Sequence, residues 1–201
     1  MIKNITKIAF LITLLFLVGC ENQNDDSTDT SPTHPLVTAA REQIGVVTEY
    51  DTNYYIGGYP PKNSGACTDV IERALRANDY NLKNKIDEDM KNYPDRYSNE
   101  NDPNINFRRV ANVKIFLDNY ALKLTTKTDP ESLPEWQAGD IVTYDQIPGS
   151  LWHIAIVSDK KTWDGIPLLI HNYGIGVIEN DYLTKWPAPI TGHYRLQEFI
   201  K

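Results

Sequence analysis

Up to residue 120 the apolar positions recur at helical spacing, and after Pro134 they fall in short strand-like runs. Leu36, Ala39, Ala40, Ile44 and Val47 lie three or four apart across residues 35–49. Pro35 suits the first turn, so this stretch is predicted to be a packing helix. Residues 50–66, YDTNYYIGGYPPKNSGA, crowd Gly, Pro, Asn and Tyr together without a period and read as an irregular surface loop, where functional residues concentrate. From Cys67 onward Val70, Ile71, Ala74, Leu75 and Ala77 share one side, which predicts an amphipathic helix with Cys67 in its first turn. Residues 82–93 predict a second, more polar helix, and YPDRYSNENDPNIN is a loop by composition. Arg109 to Tyr120 predicts a third, with Val110, Val113, Ile115, Phe116 and Leu117 on its apolar side. The stretches GDIVTYDQ, HIAIVSDK, PLLIHNYG and TGHYRLQEF are β-rich and bounded by turn residues. Helices first and strands second predict an α+β domain whose antiparallel sheet carries helices on one side. No internal repeat is present.

The N-terminus follows a different rule. Lys3 and Lys7 precede a nearly unbroken apolar run from Ile8 to Val18, the pattern of a secretion signal over residues 1–19. The run is short for a membrane span. Leu17-Val18-Gly19-Cys20 resembles the lipobox of bacterial lipoproteins, which implies cleavage before Cys20 and a diacylglycerol anchor on its thiol. Residues 20–34 hold no large apolar side chain, are rich in Asp, Asn, Ser and Thr, and read as a flexible acidic tether in which His34 is solvated. The expected domain is therefore 35–201, exported and held at the bacterial envelope through the lipid on Cys20. Loss of Lys3 and Lys7 with the signal moves the net charge from −7 to −9, with 18 basic against 27 acidic residues, and nothing points to a nucleic-acid partner.

With Cys20 lipidated, Cys67 is a solitary thiol in an oxidising compartment. Either it is a small buried hydrophobe or it has chemistry to do. A helix N-terminus favours a thiolate, because free N–H groups and the helix dipole point at it. A base is then required. His153 opens one predicted strand and His171 ends the next, and adjacent antiparallel strands could bring the rings together. His153 would take the Cys67 proton, and His171 would fix the ring orientation and tautomer of His153.

The stretch YYIGGYPPKNSGACTDV resembles the Tyr-x-x-Gly-Gly…Asp-Cys-Ser-Gly signature of the NlpC-type cysteine hydrolases, a papain-like superfamily. GDIVTYD and HIAIVSD resemble that superfamily's Gly-Asp-Leu-Val and His-Val-Gly-Ile-Val segments. More closely, CTDV, DPNINFRRVANV, HIAIVSD, IHNYG and WPAPITGHYR are similar to domain-of-unknown-function family 1287, from about Tyr50 to the C-terminus. The resemblance implies a papain-like fold with Cys67 as nucleophile, His153 as base and His171 as third polar residue. It also implies an oxyanion role for Tyr54, which otherwise reads as an ordinary loop aromatic; the Cys67 N–H would be the second donor. Thr68-Asp69 stand where many members carry Ser-Gly, Ala66 replaces the preceding Asp, and Phe107 stands where the closer family leads us to expect a polar side chain.

Asp69 is expected to cap the helix or to hold a nearby donor. Arg108 and Arg109 either grip a substrate carboxylate or form surface ion pairs. A zinc site of His153, His171, His193 and Cys67 has no close ligand pair to support it, so neither metal nor cofactor is expected. The expected activity is a thiol hydrolase cleaving an amide or peptide bond through an acyl-enzyme, with peptidoglycan as partner. An acyltransferase using the same thioester, or a non-catalytic envelope binding module, is the alternative.

Overall fold

The computed structural model describes residues 33–146 and 152–200. The signal reading of residues 1–19 and the lipidation reading of Cys20 lie outside the described residues. Four α-helices are α1 (Pro35–Arg41), α2 (Cys67–Arg76), α3 (Leu82–Asn92) and α4 (Val110–Tyr120). Strands β1 (Glu49–Tyr50) and β2 (Ser64–Gly65) form a short parallel pair. Strands β3 (Leu122–Lys123), β4 (Ile141–Tyr144), β5 (His153–Lys161), β6 (Pro167–Asn172), β7 (Val177–Asn180) and β8 (Ile190–Arg195) form an antiparallel sheet in the order β3-β8-β4-β5-β6-β7. The α+β expectation holds. No helix of the described residues is long and apolar enough to cross a membrane.

Side-chain alternation along the strands divides the core in two. Ile141, Ile154, Ile156, Ile170 and Tyr194 join Val37, Ala40, Val70, Ile71 and Ala74 beneath the helices. Their strand neighbours Val142, Tyr144, Ala155, Val157 and Leu169 face the other way, onto Trp136 and Leu183. Both faces of β4 and β5 are thus covered, which is why their sequences are apolar runs and not alternating ones.

Helix α1 is shorter than its periodicity predicted. The chain turns after Arg41, Gly45 takes a φ of +77°, and Ile44 is exposed while Val47 returns to the core. A left-handed glycine just past the last helical turn stops propagation. His34, read as tether, belongs to the fold. Its Nδ1 accepts from the Leu36 N–H at 3.3 Å, and its Nε2 lies 3.3 Å from the Phe199 carbonyl. An added Cβ on Gly139 would come within 2.1 Å of its ring.

Helix α2 is more deeply seated than an amphipathic surface helix. Thr68, Asp69 and Glu72 are buried along with the apolar positions, because the loops before and after it close over its outer side. Its N-cap, Ala66, offers no side-chain acceptor, so Asp69 reaches back and takes the Ala66 N–H at 2.6 Å.

Candidate active site

Cys67 is the first residue of α2, only 3% exposed, at the base of a cleft of about 350 Å³. Tyr50, Ala66, Arg108, Arg109, Ile105, Val110, Ala111, Gln146 and Trp152 stand around it. Burial pushes the thiol up to about 11. Hydrogen bonding to the backbone at Ile154, to the Tyr50 hydroxyl and to the backbone at Thr68 pulls the other way without overcoming it. The resting residue is a neutral thiol.

Tyr50 is the tyrosine at this thiol. The parallel pairing of Tyr50 with Gly65 sets it beside the chain two residues before Cys67, and its own pKa is raised by burial and then by the thiol. Tyr54, the residue expected at the oxyanion position, is 54% exposed and points elsewhere. Its hydroxyl donates to Asp102 at 3.0 Å and accepts from the Asn104 amide at 2.7 Å. The spacing to Gly57-Gly58 pointed to Tyr54, whereas the structure sets Tyr50 at the thiol through the β1–β2 bridge, a two-residue contact with no sequence period.

His153 and His171 do meet. His153 Nε2 lies 2.6 Å from His171 Nδ1, and His171 Nε2 lies 2.9 Å from Asn180 Oδ1. With Asn180 presenting its oxygen, His171 must donate from Nε2 and accept at Nδ1, so His153 donates from Nε2 and keeps an unprotonated Nδ1. Trp186 stacks on the His153 ring at 4.0 Å and 14°, and Tyr144 lies alongside. Burial lowers both rings, His171 to about 4 and His153 well below its ordinary value, so both are neutral at pH 7.

The expected contact from His153 to Cys67 is not made directly. Among the described residues no hydrogen bond joins the Cys67 sulfur to either ring. Ile154 points beneath the helices with Cys67, so alternation turns its neighbour His153 toward Tyr144 on the other face, and the sulfur meets β5 at the Ile154 backbone. The Cys67 thiol and the histidine pair therefore reach the same strand, one residue apart, from different directions.

Asp69 fills both roles foreseen for it: besides the Ala66 N–H it takes the Arg108 guanidinium at 3.0 Å through each oxygen. Arg108 is not a free substrate clamp. Its remaining donors go to the carbonyls of Asn53 at 2.5 Å and Asp51 at 2.8 Å, and both side chains of the ion pair are almost fully buried. Arg109 does reach the cleft, with one bond to the Glu100 carbonyl at 3.0 Å. Phe107 is a core residue, its ring against Tyr59 and so close to Gly58 that a Cβ there would meet it at 2.6 Å.

His193 takes no part. Its ring lies flat on Trp136 at 3.6 Å, with Nδ1 2.7 Å from the Thr125 carbonyl and Nε2 2.7 Å from Asp140. Sequence reading missed Tyr50, Trp152, Asn180 and Trp186. Asn180 ends a strand, VIEN, too short to stand out, and Trp186 lies in a Pro-rich turn segment.

The profile of a family described as "Domain of unknown function (DUF1287)" matches residues 37–196. The chain is also 39% identical, over 175 residues, to an uncharacterized protein, YijF, of Escherichia coli (strain K12), an alignment that covers 83% of this chain and 82% of that one.

Proposed function

The chain belongs to the family described as Domain of unknown function (DUF1287), and from that footing we propose that it is a thiol hydrolase of the NlpC-type, papain-like superfamily, cleaving an amide or peptide bond. The observation that carries this reading is the directed chain Asn180–His171–His153, which leaves an unprotonated Nδ1 one residue from the point where the Cys67 sulfur meets β5. A third group fixing the imidazole's tautomer is the supporting element of nucleophile–base catalysis. Trp186 covers the ring and keeps water from its bond to His171.

In the proposed reaction the Cys67 sulfur bonds to the substrate carbonyl carbon as its proton passes to His153 Nδ1. The imidazolium gives that proton to the leaving amine as the C–N bond breaks. Water then attacks the thioester, losing a proton to His153, and the acid and free thiol are released. Because thiol and imidazole are both neutral at rest, closure of His153 onto the sulfur belongs to the substrate-bound state, as catalytic contacts often tighten there. The N–H of Cys67 at the start of α2 and the Tyr50 hydroxyl are the donors for the oxyanion.

The signal and lipobox pattern at residues 1–20 supports an address at the bacterial envelope with Cys20 as lipid anchor, and hence peptidoglycan peptides as substrate. The test is release of muropeptide fragments from purified cell wall by the full chain. Loss of release in Cys67→Ala supports the reading, and equal release sinks it. A second reading, a non-catalytic binding module, is favoured by the neutral, buried Cys67 without a hydrogen bond to a base. It gains if no hydrolysis is found and Cys67 resists alkylation while the fold is intact.

A further inference from the structure

We propose that the cleft at Cys67 selects ligands bearing a free carboxylate, and that Arg109 is the residue that selects it. The chain carries a net charge of −7, yet among the described residues no acidic side chain lines this cleft, while two arginines do. Of these, Arg108 is neutralised in place by Asp69 and committed to two backbone carbonyls. Arg109 has no carboxylate within ion-pair distance among the described residues; its one bond, to the Glu100 carbonyl, leaves most of the guanidinium fork open. Asp102, whose charge it feels, is held by Tyr54 and lies outside the cleft lining.

Two further features point the same way. Arg109 is the N-cap of α4, no side-chain oxygen caps that end, and Val110 and Ala111 of the first turn line the cleft, so the positive end of the helix dipole adds to the guanidinium. The wall also carries Thr52, Asn99 and Gln146, which are polar but uncharged, and the apolar side chains of Ile105, Val110, Ala111 and Trp152, which lower the local dielectric and strengthen a fork-to-carboxylate contact. A peptide with an acidic side chain beside the bond presented to Cys67 fits this combination of one open cation with uncharged polar and apolar neighbours. This rests on the proposed function only in taking the Cys67 cleft as the place where substrate binds.

The experiment is calorimetric titration of the full-length Cys67→Ala chain at low salt with acetyl-Ala-Glu-Ala-amide and its uncharged isostere acetyl-Ala-Gln-Ala-amide. We expect the Glu peptide to bind about fivefold more tightly or better, the scale of one partly exposed ion pair. The preference should disappear in Arg109→Gln, be retained in part in Arg109→Lys, and shrink as salt rises. Equal binding of the two peptides, a preference that survives Arg109→Gln in protein with unchanged circular dichroism, or no binding of either peptide at millimolar concentration overturns the proposal. A selective cleft in a chain that hydrolyses nothing would leave this proposal standing and remove the catalytic one.

Discussion

Arg108 and Asp69 form a buried two-point ion pair whose other bonds tie three segments together: Asp69 holds the start of α2, and Arg108 holds the carbonyls of Asp51 and Asn53 just beyond Tyr50. The pair keeps Tyr50 and Cys67 in one place. Removing either partner strands a charge in the interior, which typically costs about 3–5 kcal/mol. Urea unfolding of Arg108→Ala and Asp69→Ala should show losses of that order, and the double variant should lose clearly less than their sum. Additive losses would mean that the two charges do not depend on each other. Arg108→Lys should recover little, since an ammonium cannot reach the carboxylate and two carbonyls with a planar fork.

The buried thiol sets a simple pH rule. With its pKa at about 11, Cys67 in the resting protein should react with iodoacetamide slowly near neutrality, the rate rising about tenfold per pH unit until it levels near 11. Tyr50→Phe removes a hydrogen bond that favours the thiolate, so its curve should lie at still higher pH. A plateau already reached at pH 7 would show instead that thiol and imidazole form an ion pair at rest.

Turnover on cell-wall fragments should fall in steps that follow distance from the reacting atoms. In the proposed reaction His153→Ala removes the base, and it is expected to lower kcat by about 10²–10⁴-fold. Asn180→Ala removes only the group that fixes the tautomer of His171, and should cost less and widen the pH dependence. If His153→Ala turns over as fast as wild type, the base lies elsewhere.

Acid should destabilise the fold in two stages. His171 has a folded value of about 4 against about 6.5 unfolded, and His153 is also lowered, so the unfolded chain binds more protons as pH falls below 6.5. The stability from keeping these rings neutral is complete above 6.5 and is lost between there and about 4. Burial raises the Glu179 carboxyl, but bonds from Arg41, Ser158 and Lys160 outweigh it and hold it at about 2. Its contribution is therefore present above about 4.5 and lost on the way down to 2. The urea midpoint measured against pH should decline across both windows, and Glu179→Gln should flatten the lower one only. A midpoint constant from pH 7 to 4 would contradict the buried neutral histidines.

Gly58 has a φ of +87° and faces the Phe107 ring and the Asn104 carbonyl, with an added Cβ at 2.6 and 2.9 Å. Gly58→Ala should lower the melting temperature by several degrees, since it combines left-handed backbone strain with a clash against core and backbone atoms. Gly165, at nearly the same φ but with open space around it, should tolerate alanine better. Equal effects at the two sites would show that backbone strain alone decides.

Much of the domain was legible in order of residues. The 3.6 period marked α2, α3 and α4 almost to their ends, and the runs beginning at Gly139, His153, Pro167 and Thr191 marked four of the six sheet strands. The meeting of His153 and His171 was legible too, because consecutive antiparallel strands pair and both residues sit at the ends that come together. The two-residue strands at Glu49, Ser64 and Leu122 were not, nor was β7, since so few residues carry no period. The partners of Arg108, Tyr54 and His193 were equally hidden, being chosen by residues 39 to 68 positions away.

By itself, then, the sequence determined which segments become helix or strand, that Cys67 starts a helix, and that two histidines share a strand pair, because these follow from local periodicity and capping. Only the tertiary structure decided which tyrosine reaches the thiol, which arginine is left open to a ligand, and which face of β5 each side chain takes. Those outcomes depend on long-range register and on competition among polar groups for buried partners, and neither is written in the neighbouring residues.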